Sequence, residues 1–541
     1  MTAPHTPTWK APARRIAHLR RVVAAALFSL CATGAISAPA AAQYSAVRPP
    51  APCLYDARAA SVAIRTGATP EVALAVLAFT RASTSHNVGH LGAALADEIA
   101  ARLYRLERTI VRRPGALRRT AALSPAGMVT LGRQVGARHV LAGTIDVRDG
   151  LLIVVPRLYR TTDGSTEWTA RYERPLSAVA TIEQEISREL GSRLGVSLSP
   201  EQTSLLTRPR TQNAEAYDHF LRGSFYLSSG TTADAVRAIS ELERAVTLDG
   251  TFAAAHARLG IAYATVLQAG RQLRSANQKT MLERGASVAQ RALAMDSSSV
   301  EAWLAHAAIL AATSPRSYEG VRGAYARAVA ADPRSAEALR LYGRALMHLG
   351  SFQAAEVRLR SAVELDPQSA RALYDLADLQ VIRRRPSDAC RLLNGVLQND
   401  PRSPRAYALR AALRHRWGEV RDAWADAETA SRLGDRLWGE SAAALVDAQA
   451  KDTTGARDRL LRLSRQTLAN VSVLSPEDAR LPALAFTALG DTASARNVLG
   501  RARPRGAALW AVLQDPGFDR ARSLSWFRSL VQTTRSTTAR D

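Results

Sequence analysis

A small residue followed four positions later by Asp-Pro recurs as Ala328 to Asp332-Pro333, Ala362 to Asp366-Pro367 and Val396 to Asp400-Pro401, at intervals of 34 residues. Less regular copies sit at Leu248-Asp249, Met295-Asp296 and Gly434-Asp435. A chain that repeats at this pitch cannot close one ordinary core. Each unit is a small supersecondary piece that buries its apolar face only against its neighbours, so several units must stack.

The unit from Ala336 to about Gln368 carries the pattern best. Gly343 and Leu346 lie in its first expected helix, and Ala355, Leu359, Ala362 and Pro367 in or after its second. The small residues let two helices approach closely while the leucines fill the space between them, and Gly350 ends the first helix. Leu373, Ala377, Ala389, Leu393, Val396 and Pro401 repeat the logic, as do Tyr407, Ala411, Gly418, Ala423, Ala427 and Ala430. Trp303 opens the preceding unit, which continues through Ala307, Leu310, Tyr325, Ala328 and Pro333. This part closely resembles the tetratricopeptide repeat family. The resemblance implies an all-α, right-handed superhelical solenoid of about eight helical hairpins over residues 212–505, with residues 506–541 as capping helices and tail.

The segment before the repeats has a mixed pattern. Val72 to Thr80 predicts a buried strand, Leu91 to Leu106 an amphipathic helix, Thr109 to Arg112 a strand and Ser124 to Val135 a helix. His139 to Val147 and Leu151 to Tyr159 alternate like a hairpin turning at Asp149-Gly150, then come a strand at Trp168 to Tyr172 and a helix at Ala178 to Leu194. The expectation is a βαβαβββα domain over residues 71–198. Val76-Leu77-Ala78-Phe79, Leu131 through Gly143, Trp168 through Arg174, Ala216-Tyr217-Asp218 and Leu221-Arg222-Gly223 together resemble the amino-terminal domains of TolB and FlgO. That bacterial module commonly precedes tetratricopeptide arrays in the non-catalytic parts of serine/threonine kinases, adenylate cyclases and winged-helix regulators. The resemblance implies a sensing or docking half; no Gly-rich loop, His-Arg-Asp, Asp-Phe-Gly or cyclase segment is found, so an enzyme is not expected.

The first residues have the parts of a secretory signal: Arg14, Arg15, Arg20 and Arg21, an apolar run from Val22 to about Ile36, and Ala40-Ala41-Ala42 before Gln43. The run is shorter than the roughly 20 residues of a spanning helix. Residues 1–42 therefore read as a leader cleaved near Ala42, with a retained single-pass anchor as the alternative, and residues 43–70 as a proline-rich linker. Leu30 before Cys31 argues against lipidation. Cleavage leaves Cys53 and Cys390, in different segments; Cys390 reads as a small core residue, and a disulfide between them is open to the chain but is not the expected state.

Charge bounds the partners. The formal net charge is +24, nearly all of it arginine, with lysine only at Lys10, Lys279 and Lys451. No lysine sits in a phosphate-cradling loop, and no Gly-x-Ser-x-Gly elbow is present. His86 and His90 are four apart, but Asn87, Val88 and Gly89 between them read as loop rather than metal-binding helix. Glu183 with Glu185 and Asp375 with Asp378 read as solvated helix faces. No cofactor, metal or small-molecule substrate is expected.

In tetratricopeptide arrays the exposed residues of each first helix line the concave groove. Here that projects Arg340, Arg344, Arg371, Tyr374, Asp378, Arg405 and His415 inward, where guanidiniums could grip carboxylates and Tyr374 supply an apolar anchor. The expected function is an exported, periplasmic interaction scaffold that binds an acidic protein or peptide in this groove. The alternative is a membrane-anchored signalling or transcription-regulatory accessory protein with an anionic partner, nucleic acid or lipid. No helix-turn-helix or aromatic-rich basic patch supports nucleic acid, and the membrane enters only through an uncleaved leader.

Overall fold

β1 (Val72–Val76) is apolar at every position, and four of its five residues are buried, as suits a strand covered on both faces. It pairs in parallel with β3 (Thr109–Arg112) on one side and β4 (His139–Arg148) on the other. β4 turns at Asp149-Gly150, both with positive φ, into the antiparallel β5 (Leu151–Arg160). This computed structural model describes residues 53, 72–82, 89–106, 109–112, 124–194, 199–269, 275–313, 318–470, 474–502 and 506–538. All belong to one unit beginning at Ala51. The leader and linker lie outside the described residues, Cys53 excepted, as does His86. No helix among the described residues is long and apolar enough to cross a membrane.

Two expected strands are broken. The first ends at Val76 and resumes as β2 (Thr80–Arg81), because Phe79 bends away to accept Gly92 of α1 (Gly89–Tyr104), donating its N–H to the Gly92 carbonyl at 3.0 Å. A Cβ on Gly92 would come within 2.2 Å of the Phe79 oxygen. The last strand divides into β6 (Thr166–Thr169) and β7 (Tyr172–Pro175), both antiparallel to β5. The break falls opposite Pro156, which has no N–H to give the ladder. α2 (Pro125–Val135) covers one sheet face with Met128, Leu131 and Val135. The other face shares one apolar core with α1 and α3 (Val179–Arg193).

After α4 (Pro200–Thr207) come eight helix pairs: α5 (Ala214–Ser228) with α6 (Thr232–Leu248), α7 (Ala253–Ala269) with α8 (Ser275–Met295), α9 (Val300–Thr313) with α10 (Tyr318–Ala331), α11 (Ala336–His348) with α12 (Phe352–Leu365), α13 (Ala370–Ile382) with α14 (Pro386–Asn399), α15 (Pro404–Arg416) with α16 (Val420–Arg432), α17 (Arg436–Gln449) with α18 (Thr453–Gln466), and α19 (Pro476–Ala488) with α20 (Thr492–Gly500). α21 (Gly506–Val512) and α22 (Ser525–Thr538) follow. Side-chain caps set the starts: Asn213, Ser335, Ser369, Asp435 and Ser475 each accept the N–H three residues on. Gly343 shows why a small residue is needed inside a pair, since a Cβ there would meet Leu359 at 2.7 Å.

The sheet and the array are joined by a core that runs without interruption from Leu74 to Ile309. Buried within the junction, Arg102 of α1 donates to Glu183 of α3, and Tyr217 of α5 donates to the same carboxylate. Glu98 takes Arg210 at 2.9 Å and Arg258 at 3.4 Å. Glu183, expected on a solvated face, is thus fully buried, because α3 closes onto α5 rather than onto water. Farther along, Arg334 donates to the Thr109 carbonyl at 2.6 Å and Gln368 to the Gln134 carbonyl at 3.2 Å.

Cys53 and Cys390 form a disulfide, with Cα atoms 5.4 Å apart. This corrects the expected reading of Cys390 as an ordinary core residue. Sequence distance misled here: residues 337 apart meet because the stacked hairpins bring α14 beside the start of the unit.

Candidate functional site

The residues expected to line a groove open to a partner are engaged by the chain itself. Arg340 is only 6% exposed and is held between Glu337 at 2.7 Å and Asp375 at 2.6 Å. Arg344 donates to Glu477 of α19 at 2.8 Å, and His348 lies 3.3 Å from the same oxygen. Asp378 is buried and accepts from Arg480 of α19. Arg405 lies over the Trp438 ring, 5.1 Å from its centroid, and reaches Asp478 at 3.3 Å. Tyr374 is partly buried, and burial pushes its phenol well above the ordinary range. His415 is half-buried at the end of α15, and burial lowers its pKa. Arg371 alone of the seven stands exposed without touching α19; its guanidinium lies beside Gly230, where a Cβ would come within 2.8 Å.

The cause is a long-range closure. Side chains on the inner faces of α11, α13 and α15 reach α19 and the segment after α21 through Arg344–Glu477, Asp378–Arg480, Arg405–Asp478 and Arg416–Asp515, while Arg371 and Arg405 also stay open to solvent. Arg480 is fully buried between Asp378 and Asp515, donating to Asp515 at 2.6 Å. Arg416 adds a second guanidinium to Asp515 at 2.8 Å, and the Gly517 N–H a third donor at 2.6 Å. Burial alone would raise the Asp515 carboxyl, but Arg480 and Arg416 hold it well below the usual carboxylate range. Glu477 is likewise held far down by Arg344 and His348 against its burial. For Asp378 burial outweighs Arg480 and the carboxyl is raised. At the rim, Trp510 of α21 stacks on Phe352 with centroids 5.7 Å apart and planes 5° from parallel. It also fills the space over Gly350, where a Cβ would lie 2.3 Å from the indole.

The expected chemistry, guanidinium against carboxylate, is therefore present, with the carboxylates supplied in cis. The expectation of an accessible groove at Arg340 and Asp378 is corrected: both are buried. Glu477, Asp478, Arg480 and Asp515 were missed. Nothing in a 34-residue period says that the eighth hairpin folds back on the fourth to sixth, and Pro-Glu-Asp at residues 476–478 reads as an ordinary helix start. Of the histidine pair read as loop rather than metal ligands, His90 stands in the first turn of α1, 3.5 Å from Asp218.

Two tetratricopeptide repeat family models match, over residues 346–413 and 321–370. The chain carries tetratricopeptide repeats there. A putative adenylate cyclase 3 from Rhizobium meliloti (strain 1021) is 23% identical over 192 residues, 35% of this chain. That match covers 32% of the relative, so the chain spans about a third of the length of the curated protein it matches. Among solved structures, Pseudomonas aeruginosa PilF is 22% identical with a TM-score of 0.33, covering 41% of this chain and 95% of that one. Yeast Tom70 is 13% identical with a TM-score of 0.35, covering 66% and 82%.

Proposed function

We propose that this protein is an exported docking scaffold: a non-catalytic tetratricopeptide protein that binds an acidic protein or peptide segment. The observation that carries the reading is the set of arginines along the array that already recognise carboxylates from distant parts of the chain. Arg344 on Glu477, Arg405 on Asp478 and Arg416 on Asp515 use the pairing an acidic partner would offer. The net charge of +24, of which 24 − 5 = 19 remains once the leader's Lys10, Arg14, Arg15, Arg20 and Arg21 are removed, adds a long-range attraction for such a partner. Export is supported by the leader-like first residues and by the Cys53–Cys390 disulfide, which persists only where thiols are oxidised. The resemblance of residues 70 to 250 to TolB and FlgO amino-terminal modules, and the partial likeness to a putative cyclase, fit the sensing or docking half of a signalling protein.

The test has two parts. The mature amino terminus should lie near Gln43 in a periplasmic fraction; an unprocessed cytoplasmic chain overturns the export reading. The purified protein should retain acidic envelope proteins at low salt and release them at high salt, since guanidinium–carboxylate attraction is screened. Capture that is absent or indifferent to salt overturns the acidic-partner reading.

A further inference from the structure

Beside Arg371 and Arg405, which stay exposed on the inner faces of α13 and α15, cations open to a partner lie at the ends of the hairpins. At the turn joining first and second helices, the residue one past the helix cap is left-handed in Gly230, Gly350, Gly418 and Gly490, the conformation glycine adopts without strain. In the α13–α14 turn the same place is held by Arg384, with φ 59°. A left-handed conformation costs a side-chain-bearing residue roughly 1–2 kcal/mol. Its turn is otherwise ordinary, with the Arg385 N–H on the Gln380 carbonyl at 2.8 Å. Local folding alone gives no reason for arginine there.

The turn divides the triplet Arg383-Arg384-Arg385. Arg384 makes a two-pronged fork to Asp519, both bonds 2.7 Å. Arg383 and Arg385 instead converge on Glu356 of α12, the latter at 3.1 Å. Arg360 joins them at 2.8 Å and Gln380 at 3.1 Å. One carboxylate, 8% exposed, thus faces three guanidiniums, and among the described residues this spot keeps two positive charges that no carboxylate is seen to balance. Arg360 and Arg385 remain 54% and 45% exposed, each with donors beyond those Glu356 occupies.

We propose that Arg360, Arg383 and Arg385 form a docking site for a carboxylate-rich peptide segment, one incoming carboxylate bridging Arg360 and Arg385 outside Glu356. The proposal rests on the acidic-partner reading above and locates it. Charge complementarity selects the occupant, and Glu356 shows that a carboxylate fits between these planes. Because single exposed ion pairs are weak, the segment needs at least two neighbouring carboxylates, the second reaching Arg383 or the partner arginine's free edge.

The experiment uses the full oxidised chain and fluorescence anisotropy with a labelled Glu-rich peptide and its Gln-rich counterpart. The Glu-rich peptide should bind preferentially, more weakly at high salt. Arg360→Gln with Arg385→Gln should weaken it about tenfold or more, near 1.4 kcal/mol. That pair leaves Glu356 with Arg383 and Gln380, so its melting temperature should stay close to the parent's. Lys451→Gln, a left-handed cation in the α17–α18 turn, should leave binding unchanged. Undiminished binding by the Arg360/Arg385 variant overturns the site while the acidic-partner reading stands; equal uptake of both peptides by the parent overturns both. Binding of an oligonucleotide or an anionic vesicle that the variant abolishes, without uptake of the Glu-rich peptide, overturns the peptide assignment.

Discussion

The junction between sheet and array and the closure of the later hairpins hold distant elements together by different means. At the junction, Phe220, Tyr217 and Phe252 pack in a continuous apolar core, ring centroids 4.9 to 6.5 Å apart, with charges embedded in it. In the closure the apolar residues belong mainly to neighbouring helices, alanine-rich in α15, α16, α17 and α19, and apart from Trp510 on Phe352 the contacts that reach across it are largely ionic. Area burial is forgiving of small displacements, whereas a buried guanidinium between two carboxylates is not. The two regions should therefore fail differently.

Arg480→Met tests this most severely. It takes the guanidinium from buried Asp378 and leaves buried Asp515 with Arg416 and the Gly517 N–H, and should cost about 3–5 kcal/mol. Hydrogen exchange should show lost protection in α11, α13 and α19 while α1, α3 and α5 keep theirs; loss spread evenly over both would erase the distinction. Phe220→Ala is the mirror case, a cavity costing about 3–5 kcal/mol at the upper end of core truncations. Its exchange changes should be confined to α1, α3, α5 and α7. Cys53→Ser should lower stability by about 2–4 kcal/mol, read in urea melts with and without reductant, and reductant should then have no further effect.

Acid should separate the regions by sign. Glu477 and Asp515 have folded pKa values held below their unfolded ones, so their stabilisation is present above about pH 4 and is lost as pH falls through the folded values. Glu183 is the reverse: burial, ahead of Arg102, raises its pKa, so its contribution is full below about pH 4 and declines as pH rises through the folded value. Asp378 shares that sign and offsets part of the loss in the closure. Exchange measured from neutral pH downward should show α19 loosening below about pH 4 while α3 does not. The smallest effect belongs to Arg384→Gly: relief of left-handed strain and loss of an exposed fork to Asp519 nearly cancel, leaving the melting temperature within about 1 kcal/mol equivalent.

The repeat register was legible because it is local. Asp-Pro at a fixed interval, glycine after the first helix and serine caps act within a few residues, and Gly343, Ala355 and Leu359 meet inside a single hairpin. The sheet was legible for the same reason, except where a helix glycine pulls Phe79 out of line and Pro156 interrupts its neighbour. The candidate site was legible only in its chemistry. Arg340 does meet carboxylates within reach of its own and the next hairpin, but Arg344, Arg405 and Arg416 take Glu477, Asp478 and Asp515 from 133, 73 and 99 residues away, and a periodic signal carries no information about which turn of a superhelix meets which. The Cys53–Cys390 bond was hidden by the same distance.

Four of the seven junctions between hairpins are closed by a local device: Asp249, Asp296, Asp332 and Asp400 all turn back to accept the N–H two residues later. Judged by its joints alone, the array could gain or lose a unit freely, as tandem duplications allow. The back-contacts of α19 withdraw that freedom. Inserting or excising one hairpin between α14 and α19 would rotate Arg480 away from Asp378, and one ahead of α11 would part Arg334 from Thr109 and Cys390 from Cys53, so length variation in such a chain should be selected against on both sides of α11.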